Sequence, residues 1–236
     1  GENQKRINDS KEINEIKKIM GLETGKVYTS TNDLRYGKIV FMTDQDLDGS
    51  HIKGLCINFV AYLWPSLLQI HGFIGFMHTP ILKATKLNKV IQFYTQGDYE
   101  KWKAENNDGK GYKTKYYKGL GTSTSKEFKE YFKEKKVVSF EHHEQDDALI
   151  DQVFNKTKSD DRKQWLTTYD RERYLNVKSK AISYQEFIDN ELIHFSKYDC
   201  DRSIPSGIDG FKLSQRKILF SAFKKNLNQE IKVAQF

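Results

Sequence analysis

Apolar and polar positions divide the 236-residue chain into segments of different periodicity. Ile39-Val40-Phe41-Met42 is an unbroken apolar run, the pattern of a strand covered on both faces as in a parallel sheet. Asp44, Asp46, Asp48 and Gly49 follow at once, then Ile52, Leu55, Cys56, Phe59, Val60 and Leu63 at helical spacing. The expected unit is strand, acidic loop and helix. Its three carboxylates alternate along extended chain at the carboxyl end of the strand, where open α/β sheets place their sites, and Gly49 makes the turn. Upstream, Ile13, Ile16, Ile19 and Met20 form a helical stripe, begun by Asp9 with Glu12 and stopped by Gly21. Residues 25–36 read as connection, with Arg35 in a surface ion pair.

Downstream, short strands are expected over 72–77, 80–84 and 90–94, and a short helix from Asp98 to Trp102. Thr124 with Glu127 caps a helix running to Phe132; Ala148, Leu149, Val153 and Phe154 suggest another. Ser183 with Glu186 opens a third, whose buried face is Phe187, Ile188, Leu192 and Phe195. Residues 170–182 are polar and weakly patterned, as a linker or a surface loop is. Strands alternating with helices make the fold class α/β.

Composition adds a partner class. Lys and Arg number 39 against 32 Asp and Glu, a net charge of +7, which points to a polyanion without identifying it. The two cysteines, Cys56 and Cys200, suit a reducing compartment. The longest apolar stretch, 56–77, is interrupted by Asn58, Pro65, Gln69 and His71 and fails as a membrane span. With no secretory signal and no initiator Met, the chain is expected to be a piece of a longer protein.

Clustered carboxylates repel unless a cation neutralises them, and a few hard oxygen ligands from one loop suit Mg²⁺, which keeps waters and borrows phosphate oxygens. An EF-hand loop beginning at Asp44 would need Glu where Leu55 stands, and a helix where the apolar run reads as strand. Asp46-Leu47-Asp48-Gly49-Ser50 also resembles a phosphatase of the haloacid dehalogenase type. That fold needs a later acidic pair behind an apolar strand, which Asp146-Asp147 and Asp160-Asp161 lack. Such a phosphatase and a non-catalytic DNA-binding module stand as alternatives. In Lys113–Thr122, two glycines before a helix N-terminus let N–H groups approach an anion, with Lys118 beside them. His142-His143-Glu144 reads as a solvated turn rather than a metal site. From Arg202 to Lys212 the chain is rich in turns; beyond it the apolar residues of 215–220 should face a core while Arg216, Lys217, Lys224, Lys225 and Lys232 meet phosphates.

The string Met42-Thr-Asp-Gln-Asp-Leu-Asp-Gly-Ser-His-Ile-Lys-Gly54 resembles the aspartate motif of the Toprim domain of type IIA DNA topoisomerases, in its eukaryotic version. Lys115-Tyr-Tyr-Lys-Gly-Leu-Gly-Thr122 resembles the second hallmark of that family, in the expected order. Residues 160–166 resemble the segment joining Toprim to the next domain, where Arg162 and Lys163 would lie near DNA. Residues 202–220 resemble the opening of the winged-helix cleavage domain, with Leu213-Ser214 where the family commonly has Pro-Gly, a change that bears on the loop around Lys212.

This resemblance implies a Toprim-type, mostly parallel sheet flanked by helices, followed by a mainly helical start of a winged-helix domain. The division it implies is Toprim over 1–140, without its first strand and glutamate motif, a linker over 141–182, and the winged-helix start over 183–236. It further implies part of the breakage and rejoining core of an ATP-dependent type II topoisomerase, ATP being used by a separate domain. Asp44, Asp46 and Asp48 would be the Mg²⁺ residues; Lys118, Arg162, Lys163, Arg202, Lys212, Arg216 and Lys217 would contact double-stranded DNA. The nucleophilic tyrosine, its neighbouring arginine and the motif glutamate would lie outside this chain, so no catalytic residue is assigned within it and the fragment alone is expected to be inactive. A homodimeric, nuclear enzyme with no membrane association completes what is implied.

Overall fold

The computed structural model describes residues 4–176 and 179–236. Two helices open it, α1 (Gln4–Asp9) and α2 (Lys11–Met20). The cap of α2 is Ser10, whose side chain accepts from the Ile13 N–H, rather than Asp9; Gly21 ends the helix at φ 77, a left-handed conformation that glycine adopts without a Cβ penalty. Only part of the expected stripe is covered, for Met20 is buried while Ile16 and Ile19 are exposed. Among the described residues Arg35 makes no ion pair of the expected kind; its Nη1 donates to the Lys18 carbonyl at 2.8 Å, near the end of α2.

The central unit follows as β1 (Ile39–Phe41), α3 (Leu47–Leu63), α4 (Pro65–Leu68) and β2 (Ile74–Met77). Next come β3 (Leu82–Lys86), β4 (Lys89–Phe93), α5 (Gln96–Glu105) and β5 (Lys113–Tyr116). They are succeeded by α6 (Ser125–Glu134), β6 (Val137–Glu141), α7 (Asp146–Phe154), α8 (Ser159–Leu166) and β7 (Ala181–Ser183). A nearly continuous helical rod closes the α/β body: α9 (Tyr184–Phe187), a π-helical turn over Ile188–Leu192, and α10 (Ile193–Ser203); α11 (Leu213–Lys224) lies beyond it.

Four strands form one sheet in the order β1-β2-β6-β7. β1 runs parallel to β2, with Ile39 opposite Ile74, and β7 parallel to β6, with Phe140 opposite Ile182, while β2 and β6 are antiparallel. All of β2 is buried, whereas β1 is not covered on both faces as its apolar run suggested: Val40 is 37% exposed. Among the described residues β1 is the outer strand, paired on one side only. The second sheet, β4-β3-β5, is antiparallel and has a small core of its own, Leu82, Ala84 and Phe93 against Tyr99, Trp102 and Tyr112.

The main core gathers Ile57, Val60 and Trp64 of α3 and its end, Phe73 and Phe76, Phe140 of β6, and Phe187 and Leu192 of the rod. Each such side chain contributes roughly 1.5–3 kcal/mol by leaving water. Ile150, Trp165 and Ile182 belong to the same core, so much of 141–182, expected as a linker, is packed into the body. Asp146 explains part of this. Fully buried, it accepts from His143 N–H at 2.7 Å and Gln185 N–H at 3.1 Å and ties α7 to α9. His142 is likewise mostly covered rather than solvated, 3.1 Å from Asp147 Oδ1. The apolar residues of α11 differ in the opposite sense. Ile218, Phe220 and Phe223 are 58%, 64% and 72% exposed, because among the described residues nothing packs over that face.

Candidate functional site

Helix α3 begins two residues after Asp44's neighbour Gln45, earlier than its apolar pattern indicated. Asp46 is its N-cap, with Oδ1 accepting from the Gly49 N–H at 2.7 Å, and Asp48 already lies in the first turn. The three carboxylates therefore do not alternate along extended chain. Gly49 is needed for close packing rather than for a turn: a Cβ there would sit 2.0 Å from the Asp44 carbonyl oxygen.

Each aspartate has a separate partner. Asp44 Oδ1 accepts from the backbone N–H of Leu120 at 2.6 Å, and a Cβ on Gly119 would come within 2.6 Å of Asp44 Oδ2. The glycine loop expected to bind an anion thus holds the carboxylate of the other motif. Asp48 Oδ1 pairs with Arg202 Nη2 at 2.8 Å, and Arg202 Nε also meets Asp199 at 3.0 Å. Among the described residues no three His, Cys, Asp or Glu side chains converge to hold a metal ion.

The glycine loop is anchored from both sides. It runs from β5 to α6, whose Thr124–Glu127 capping box forms as the sequence indicates. Glu127 also takes Lys115 Nζ at 2.9 Å, Lys83 Nζ at 3.6 Å and the Tyr117 hydroxyl. Burial alone would raise the Glu127 carboxyl. The backbone N–H of Thr124 and the side chains of Tyr117, Lys115 and Thr124 outweigh it and hold the group down at about 2. Tyr117 is pushed well above the usual phenol range by burial, then by Glu127.

A cavity of about 470 Å³ opens beside the acidic loop, lined among others by Asp44, Asp46, Ser50, Lys53, His78 and Glu191. Lys53 is 3% exposed and pairs with Glu191 Oε1 at 2.5 Å, which also accepts from Ser50 Oγ at 2.7 Å. Burial, with the Lys53 charge second, lowers His78 to about 4. Sequence reasoning missed Lys53, His78 and Glu191. Lys53 looks like a solvated position beside Ile52, and nothing in the periodicity marks the π-helical turn that carries Glu191.

The basic candidates fall into two groups. Lys118, Lys212 and Lys217 are exposed, as is Lys163, whose Nζ lies 2.7 Å from Asp160. Arg162 points inward, donating to the Gln152 carbonyl at 3.3 Å and to that of Asn155, and so closes the carboxyl end of α7. Arg202 is committed to Asp48 and Asp199, and Arg216 grips Asp209 with two bonds of 2.8 and 2.9 Å. The Lys212 N–H donates to Gln215 Oε1 at 2.8 Å, so α11 starts normally without the family's Pro-Gly.

The donors suit a hard divalent cation in kind. In both Asp44 and Asp46 the backbone bond engages Oδ1, and around Asp44 the buried Thr43 Oγ1 and Gln45 Nε2 have no partner. Two carboxylates from one loop are too few for an all-protein cage and suit an ion that takes water and phosphate oxygens for the rest.

Comparison with known proteins is consistent across the chain. Residues 77–200 match the family model described as the C-terminal associated domain of TOPRIM, and residues 202–236 match the family model for DNA gyrase/topoisomerase IV. DNA topoisomerase 2 of Plasmodium falciparum is 48% identical over 98% of this chain and 17% of its own length. Probable DNA topoisomerase 2 of Dictyostelium discoideum is 50% identical over 98% and 15%, and human DNA topoisomerase 2-beta 49% over 98% and 15%. The chain therefore spans about one sixth of these relatives. The crystal structure of the Plasmodium falciparum topoisomerase II DNA-binding, cleavage and re-ligation domain superposes with a TM-score of 0.86 at 46% identity, covering 99% of this chain and 32% of that one.

Proposed function

Since the chain belongs to the eukaryotic type II DNA topoisomerases, we propose that it supplies the Mg²⁺-binding and part of the DNA-binding surface for cleavage and rejoining of double-stranded DNA. The observation that carries this reading is the meeting of the two motifs, Asp44 Oδ1 on Leu120 N–H at 2.6 Å. It fixes one carboxylate at a basic loop, where a phosphate and a cation can be held together.

Asp44 and Asp46 would hold the ion, with Asp48 on the same turn. When bound, Mg²⁺ supplies charge stabilisation to the attacking and leaving oxygens of the phosphate being transferred. The chain's own residues orient and neutralise. Leu120 N–H fixes the rotation of the Asp44 carboxylate, the α3 N-terminus fixes Asp46, and Lys118 offers its ammonium to the DNA backbone. Lys163, Lys212 and Lys217 provide exposed phosphate contacts of the kind that position a duplex without reading bases. Arg202 and Arg216 would meet phosphate with donors already shared with Asp48 and Asp209, and Arg162 serves the fold instead.

In this reading the attacking tyrosine, its arginine, the motif glutamate and the ATP-using domain belong to other parts of a homodimeric nuclear enzyme. The Toprim part would extend beyond residue 140 to include β7, and the winged-helix part would begin after α10. The test is plasmid cleavage and relaxation by the full-length enzyme. Asp44→Asn and Asp46→Asn should each lower Mg²⁺-dependent cleavage by ~100-fold or more, the scale of several kcal/mol of lost charge stabilisation, while DNA binding in EDTA persists. Unchanged cleavage would refute the assignment, and turnover of a small phosphate ester abolished by Asp46→Asn would favour a phosphatase.

A further inference from the structure

Behind the acidic loop lies a polar contact that the metal and DNA roles do not use. Lys53, on α3, is 3% exposed, its Nζ 4.1 Å from the ring centre of Phe76 and 5.7 Å from that of Phe187. A buried ammonium left alone would be strongly destabilising, and its carboxylate partner is Glu191 at 2.5 Å. The same Oε1 accepts from Ser50 Oγ at 2.7 Å. Ser50 in turn sits on the cap residue of α3, its N–H donating to the Asp46 carbonyl at 3.1 Å.

Glu191 reaches this place from a π-helical turn, a wide turn that is uncommon and frequently found at functional sites. Its neighbour Leu192 also faces α3, with Cδ1 3.3 Å from where a Cβ on Gly54 would stand. Two successive rod residues are thereby applied to the helix that carries the acidic loop. A buried ion pair is a poor source of net stability, and in some proteins such pairs instead serve to fix geometry.

We propose that Glu191 is a positioning residue: through Ser50 and Lys53 it locks the first turn of α3 to the rod and so sets where Asp46, relative to Asp44, presents its carboxylate to the cation. This rests on the reading of Asp44 and Asp46 as Mg²⁺ residues. The order of action is Glu191, Ser50, the Asp46 backbone, the Asp46 carboxylate. Glu191 itself does not touch the ion.

The experiment titrates MgCl₂ into the full-length enzyme bound to DNA, without nucleotide, by calorimetry, and separately measures DNA affinity in EDTA and thermal unfolding. Two variants avoid stranding a buried charge: Ser50→Ala, which removes only the hydroxyl link, and the double change Lys53→Met with Glu191→Leu, which replaces the pair by apolar volume. Both should leave DNA affinity in EDTA within twofold and weaken Mg²⁺ binding, the double by ~10-fold, the scale found when groups behind metal ligands are removed. Glu191→Asp should recover part of the loss. If both variants bind Mg²⁺ as the wild type does while Asp46→Asn weakens it, Glu191 is structural only and the proposal fails alone. If Asp44→Asn and Asp46→Asn also leave Mg²⁺ binding unchanged, the metal reading fails and the proposal with it.

Discussion

Leu120 and Asp44, seventy-six residues apart, are joined by a single 2.6 Å hydrogen bond from a backbone N–H to a carboxylate oxygen. Gly119 makes room for it, at φ −177, an extended conformation open to any residue. Here glycine is favoured by space and not by backbone conformation.

Gly119→Ala should therefore destabilise by about 1–3 kcal/mol, the usual cost of overpacking, because its Cβ would lie 2.6 Å from Asp44 Oδ2. At Gly121→Ala, two residues on, the added Cβ would meet no heavy atom of the described residues within 4 Å apart from its chain neighbours, and stability should stay within about 0.5 kcal/mol of wild type. Denaturant unfolding of the two variants side by side checks the contrast; equal effects would refute the spatial account.

Gly49→Ala should be worse than Gly119→Ala. Its Cβ would meet a backbone carbonyl at 2.0 Å, which cannot rotate aside as a carboxylate can. A cost at the upper end of the same range or beyond it, about 3 kcal/mol or more, is expected in the same unfolding assay.

His78 is expected to make stability fall as the medium is acidified. Its folded value, about 4, lies below the unfolded 6.5, so the unfolded chain takes up the proton first. The loss begins as pH drops through 6.5 and levels off near 4, amounting to at most roughly 3 kcal/mol at about 1.36 kcal/mol per pH unit. In His78→Leu the slope between pH 6.5 and 4 should flatten, read from unfolding curves at several pH values.

Glu127 acts lower on the scale. Held at about 2, it contributes stability in full above its ordinary 4.5 and loses it as pH falls from there toward 2. Glu127→Gln should remove that acid-side dependence and loosen the glycine loop, seen as faster amide exchange at Leu120.

The ion pair of Arg202 with Asp48 is exposed at both ends, so Arg202→Ala should leave stability little changed in denaturant unfolding. Its effect on DNA affinity should nevertheless be measurable, and should shrink as salt rises if the arginine meets phosphate. A difference between wild type and variant that does not change with salt would remove Arg202 from the DNA surface.

Local signals were legible where short-range physics is sufficient. The capping boxes of Thr124 with Glu127 and Ser183 with Glu186, the Gly21 stop, and the strands near 74–77, 82–86 and 89–93 follow from residues within a few positions of one another. Three strands escaped notice: β6, Val137–Glu141, whose alternating burial went unread, and β5 and β7, for separate reasons. Lys113-Thr114-Lys115-Tyr116 is exposed throughout and shows no apolar alternation, and three residues at 181–183 are too few to show any period.

By itself, then, the sequence determined the α/β class, both motifs and the family they resemble, because each is written in adjacent residues. Only the tertiary structure decided that the glycine loop holds Asp44, that Asp48 and Arg202, separately assigned to metal and DNA, face each other, and that Lys53 is buried on Glu191. Those pairs lie 76, 154 and 138 residues apart. Periodicity reports which face of an element is apolar, but a partner across the core is chosen by how the elements pack.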